Sequence, residues 1–134
     1  MPTHFLAALP NFLAYFAAAI VLLAAFVAIY LWVTPYDEIR LVRANNTAAA
    51  ISLSGAVLGF AMPIANVIAH SDTLLDLAVW GIVAGAVQLA AWALARVALP
   101  TLKDDIAANR VAPAILVAAL SLTVGLINAA CMTY

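Results

Sequence analysis

The sequence predicts an all-α membrane protein with four transmembrane helices in a compact bundle. Composition is the first reason: of 134 residues 69% are hydrophobic and 8% charged, more apolar surface than a soluble domain of this size can bury. The mean hydropathy of +1.16 says the same. The second reason is length, since four nearly charge-free runs each meet or exceed the ~20 residues needed to cross a hydrocarbon core about 30 Å thick. The third is a layout that recurs at an offset of about 64 to 65 residues.

The four runs are Asn11 to Val33, Thr47 to Ala69, Leu74 to Leu99 and Val111 to Thr133. The opening "MPTHFLAALPNFLAYF" has no Lys or Arg ahead of its apolar run and no small-residue cleavage site before a polar region. The first span is therefore expected to stay in the protein rather than leave as a signal peptide. All five basic residues flank two loops: Arg40 and Arg43 after the first span, and Arg96, Lys103 and Arg110 between the third and fourth. Loops rich in Lys and Arg are retained in the cytoplasm, which places both termini and the "HSDT" turn outside. Tyr15, Phe16, Tyr30, Trp32, Tyr36 and Tyr134 lie mostly near span ends, as interface anchors should.

The chain reads as one integral-membrane domain over residues 1–134, divided into repeat units at about 11–69 and 74–133. "NNTAAAI" at Asn45 to Ile51 aligns with "NRVAPAI" at Asn109 to Ile115. Each unit holds an even number of crossings, so the halves keep one orientation and relate by an axis along the membrane normal. Two ordinary hairpins of similar composition would look much alike, so the shared order of span, proline, charged turn, Asn and Ala-rich span carries more than the identities do. Thr34 with Asp37, Thr73 with Asp76 and Thr101 with Asp104 each fit an N-cap hydroxyl followed three residues on by a carboxylate. Pro35 suits the first turn behind such a cap.

Helices in lipid associate through small residues and buried polar groups. The second span carries Gly55 and Gly59 in G-x-x-x-G spacing, then Pro63, Asn66 and His70; the third Gly81, Gly85, Gln88, Trp92 and Arg96; the fourth Ser121, Gly125 and Asn128. Packing is the preferred reading of these stripes, and a polar path from Gln88 to Asn66, Asn128 and His70 the sharper one. Pro63 predicts a kink whose freed carbonyl lies near Asn66. No Asp, Glu or Lys lies deep in a span, and Arg96 is near enough to an end to snorkel.

Other chemistry finds little support in the residues. Cys131 is the only cysteine, which excludes an intramolecular disulfide and a cysteine-rich metal site and suits a small packing residue. His4 and His70 have no acid or thiol nearby at ligand spacing, so no metal or other cofactor is expected. A net charge of −1 leaves no footprint for nucleic acid. No nucleophile and base pair or phosphate loop appears, so no enzymatic activity is expected.

"TPYDEIRLVRANNTAAAISLSGAVLGFAMPIA" and the closing "LSLTVGLINAACMTY" resemble the YjfL-like family of small bacterial inner-membrane proteins, a domain of unknown function. The similarity covers essentially the whole chain. It implies a four-helix, multi-pass protein of the bacterial plasma membrane built from a duplicated two-helix unit, and it implies no activity. Where family members often carry a Gly-Asn pair this chain has Asn45 and Asn46, and the second half has Asn109 and Arg110, a departure that argues against a role requiring a tight glycine turn.

Two functions follow as expectations. One is a structural or accessory membrane component that forms a small homo-oligomer or docks a membrane or cytoplasmic protein through Asp37, Arg40 and Arg43, the first two at the i,i+3 spacing of a helical ion pair. The other is a small transporter or channel for an ion or small solute, drawing on Gln88, Asn66 and Asn128. The lipid bilayer is a partner in both.

Overall fold

Within the four apolar runs little interrupts the helical ladder, and the chain is helical almost throughout. A computed structural model describes residues 2–132. The order is α1 (Pro2–Val33), α2 (Glu38–Arg43), α3 (Thr47–His70), α4 (Leu74–Ala98), α5 (Leu102–Ala107) and α6 (Val111–Cys131). α1, α3, α4 and α6 are long and apolar enough to cross a membrane. α1 starts well before the expected Asn11, because Pro10 removes one backbone bond without stopping an Ala-, Leu- and Phe-rich helix. Its 32 residues span about 48 Å at ~1.5 Å each, more than a bilayer core requires. α6 ends at Cys131, and Thr133 and Tyr134 lie outside the described residues.

α3 and α6 form the tightest pair, with α4 packed on both and α1 on the outside against α4 and α3. Glycines set the closeness of the central pair. A methyl group on Gly55 would sit 2.5 Å from Cα of Ala118, one on Gly59 would strike the Ser121 backbone and the Gln88 amide, and one on Gly125 would strike the Gly59 backbone. Gly81 gives room to Leu22 of α1, at 2.8 Å from such a methyl group, whereas Gly85 has only ordinary contacts, the nearest being Phe60 at 3.6 Å. The in-span stripes thus meet backbone to backbone, the arrangement lipid-embedded helices need.

Aromatic side chains fill the space between α1, α3 and α4. Phe26 stacks on Phe60 at 4.4 Å and 3°, and Tyr30 meets Trp92 edge-on at 6.2 Å. Tyr30 is therefore a core residue and not the interface anchor its position suggested, while Trp32 is well exposed.

Caps differ from expectation at two of three places. Thr73 does accept from the Asp76 amide at 3.2 Å. Thr34 instead donates to the Leu31 carbonyl at 3.1 Å, closing α1, and Asp37 itself caps α2 by accepting from the Arg40 amide at 3.2 Å. Pro35 consequently lies in the link ahead of the cap. Thr101 turns its hydroxyl to the Asp105 carboxylate at 2.9 Å and leaves the α5 amides uncapped by side chain.

The two short helices end alike. Asn45 follows α2 with φ 65° and Asn109 follows α5 with φ 60°, both left-handed. Asn tolerates this region better than other residues with a Cβ, which is how a tight turn forms here without glycine. The next pair of bonds ties the halves together. Asn46 caps α3 through the Ala49 amide at 2.9 Å and donates to the Ile106 carbonyl of α5, also at 2.9 Å. Asn109, from the other half, accepts from the Ala48 amide at 3.0 Å.

Candidate functional site

At the loop end of the bundle four helices and the link between α1 and α2 bring polar tips together in an otherwise apolar setting. Tyr30 comes from the last turn of α1, Tyr36 from the link, Glu38 from the first turn of α2, Ser52 from α3 and Trp92 from α4. The cap at Asp37 starts α2 one residue before Glu38, and the helix then turns that side chain inward. Asp37, Arg40 and Arg43 fall on the exposed side. Glu38 is fully buried, as are Tyr30 and Ser52.

The carboxyl oxygens of Glu38, the hydroxyls of Tyr30, Tyr36 and Ser52, and the Trp92 N–H are all buried without a direct hydrogen bond of normal geometry. Such groups are uncommon in native interiors and call for a chemical account. Burial pushes the Glu38 carboxyl up to about 7, against a smaller opposing attraction from the Tyr36 and then the Tyr30 hydroxyl. Burial likewise raises Tyr36, and the neighbouring Glu38 charge adds to it. Arg96 lies over the Trp92 ring at 5.6 Å from its centroid, with its own side chain exposed. The cluster can hold a carboxyl in its neutral form near neutral pH, with hydroxyls that both donate and accept.

The residues singled out in the sequence are dispersed. Gln88 donates to the Ser121 carbonyl at 3.2 Å, and its own Oε1 is buried without a partner. Asn66 donates to the Ala129 carbonyl at 2.6 Å. Asn128 is half-buried with its Nδ2 unpartnered. The carbonyl freed by Pro63 is that of Gly59, one helical turn earlier, and it faces Gly125 rather than Asn66. Asp37 and Arg40 meet through the Arg40 backbone amide, not as a side-chain ion pair. Among the described residues the one ion pair is Arg110 with Asp105, at 3.7 Å. Cys131 is exposed at the end of α6.

Glu38 was not among the candidates. A carboxylate in a loop with Asp37, Arg40 and Arg43 reads as solvated, and nothing local says which of two adjacent acids caps the helix. The available signal was the internal alignment, because the offset that pairs Asn45 with Asn109 pairs Glu38 with Leu102 (109 − 45 = 102 − 38). Leu102 is buried in the same way.

Comparison with known proteins agrees over nearly the full length. The chain is 34% identical to the UPF0719 inner membrane protein YjfL of Escherichia coli (strain K12), over 98% of this chain and 99% of that protein. It is 26% identical to the UPF0719 transmembrane protein YshE of Bacillus subtilis (strain 168), over 69% of each. No solved structure matches. With four helices able to span, and relatives named for the inner membrane, this is an inner-membrane protein. Residues 4–132 match the family model described as Domain of Unknown Function (DUF350), and the chain belongs to that family.

Proposed function

We propose that the protein is a non-enzymatic accessory component of the inner membrane that docks a protein partner through a platform made by α2 and α5. The basic residues beside these helices put the platform in the cytoplasm and the termini outside. The observation that carries the reading is the cross-brace: Asn46 holds the end of α5, and Asn109 holds the start of α3. Two short helices that would otherwise move independently are thereby held in one surface, with Arg40, Arg43, Lys103 and Arg110 exposed on it. Matching short helices, left-handed Asn residues and span starts support a duplicated unit, with the braces joining its two copies.

The partner that suits this surface carries an acidic patch near the membrane. The transporter reading has less behind it, since Gln88 and Asn66 both donate to α6 carbonyls and the glycine contacts leave α3 and α6 without room between them. Quantitative purification in mild detergent tests the docking role. Arg40→Glu with Arg43→Glu should remove a specific co-purifying protein, and restoring charge complementarity on that protein should bring it back. An unchanged set of co-purifying proteins refutes it. Flux of ions through liposomes holding the wild-type protein, lost in Gln88→Leu, would establish transport instead.

A further inference from the structure

We propose that Glu38 and the polar groups of Tyr30, Tyr36, Ser52 and Trp92 form a proton-binding site, in which the neutral carboxyl seats α2 against the bundle and ionisation releases it. The inference goes beyond docking and does not depend on a partner.

The geometry leads to this as follows. Glu38 is fully buried and both its oxygens lack direct partners. A carboxylate left so is expensive, and the common remedy is to take up a proton. Tyr36 from the link and Tyr30 from α1 face Glu38 directly; behind them Ser52 of α3 faces both tyrosine hydroxyls, and Trp92 of α4, with Arg96 beyond its ring, faces that of Tyr36. No basic side chain among the described residues contributes to its titration. A neutral carboxyl adds an O–H donor where a tyrosine hydroxyl can accept, while the Trp92 N–H, which can only donate, suits the Tyr36 hydroxyl oxygen. The displacement of the carboxyl toward neutral pH agrees.

α2 is also built to respond. It has six residues and no further fully buried side chain besides Glu38. In α5 the corresponding hold comes from Leu102 and Ile106, both buried and neither ionisable. α2 has an apolar hold too, in Leu41 half-buried against the cluster that contains Leu102 and Ile106, but its one fully buried side chain is a group that can change charge.

The test uses the full chain reconstituted in phospholipid vesicles. Infrared difference spectra between pH 5 and pH 9 should contain a protonated-carboxyl band titrating near neutrality, absent from Glu38→Gln. Amide exchange in α2, corrected for intrinsic pH dependence, should rise at least several-fold across the same midpoint. In Glu38→Gln and Glu38→Leu it should stay at the low-pH level throughout. Either variant suffices if the other fails to fold. A missing Glu38-dependent band, or α2 protection equal on both sides of the midpoint, overturns the proposal. So does a midpoint that follows sodium concentration at fixed pH, which would assign the site to a metal cation.

Discussion

Gly125→Ala should be among the most damaging single-methyl changes in the molecule. The added carbon would lie 2.7 Å from Cα of Gly59, and an ordinary contact begins near 3.4 Å. Both sides are backbone, so no rotamer can absorb the difference; α3 and α6 must part by at least roughly 0.7 Å (3.4 − 2.7), and by more to clear the Gly59 carbonyl oxygen, which the new carbon would strike first. A gap of ~0.5 to 1 Å forfeits about a quarter to a half of each dispersion contact along the seam. If α6 moves off while α4 stays with α3, the Gln88 bond from α4 to the Ser121 carbonyl, now 3.2 Å, would also be drawn beyond hydrogen-bonding range. That bond is worth ~0.6 kcal/mol in a membrane interior. With ~1 to 3 kcal/mol for overpacking, the total is about 2 to 4 kcal/mol. Reversible SDS unfolding in mixed micelles measures it, with Gly85→Ala as control because its neighbours stand at 3.6 and 3.7 Å. If Gly125→Ala is no worse than Gly85→Ala, the backbone contact between α3 and α6 does not set the bundle's stability.

Other outcomes follow from single groups. Asn46→Ala removes the α3 cap and the brace to α5 and should cost about 1 to 2 kcal/mol in the same unfolding assay. Asn45→Gly, at φ 65°, should stay within about 0.5 kcal/mol of wild type, whereas Asn45→Val should lose roughly 1 to 2. The Glu38 carboxyl is raised from 4.5 to about 7 in the fold, so between those values the folded form binds the extra proton. Its contribution is complete below pH 4.5 and is lost as pH climbs through 7, a change on the order of 3 kcal/mol at most. Glu38→Leu should flatten that part of the stability profile. Gln88→Leu should change stability by no more than about 1 kcal/mol, since it loses one bond and also removes a buried oxygen that has no partner.

The spans were legible because length and apolarity are direct requirements of the bilayer, and the G-x-x-x-G pair because lipid-embedded helices have few other means of close approach. What Gly59 touches was not legible, because Gly125, Ser121 and Gln88 arrive from other helices. Caps were misplaced for a related reason. Thr34 and Asp37 satisfy the spacing of a capping pair, but α1 continues to Val33 and takes the Thr34 hydroxyl for its own last turn. The brace at Asn46 was not legible, since two of its three side-chain bonds reach Ile106 and Ala107 of α5, sixty and sixty-one positions away. Tyr30 shares the pattern of a membrane-edge aromatic, and only the placement of α1 beside α4 turns it inward against Trp92.

The braces also decide how α2 could move. Asn46 is fixed to Ile106, to the Ala49 amide and, more weakly, to Ala107 at 3.4 Å, so the C-terminal end of α2 is tied to a residue that α5 and α3 both hold. The opposite end is held by Glu38 itself and by the half-buried Tyr36 ahead of it, while the Asp37 cap is internal to α2 and would travel with it. Release at Glu38 would therefore swing the Tyr36 end outward about the left-handed turn at Asn45, leaving α5 in place. In a symmetric duplication both short helices would be clamped by apolar residues or both by ionisable ones. Here the offset that pairs Asn45 with Asn109 pairs Glu38 with Leu102, so under the proton-binding proposal the helix bearing Arg40 and Arg43 is the one whose position would depend on a proton.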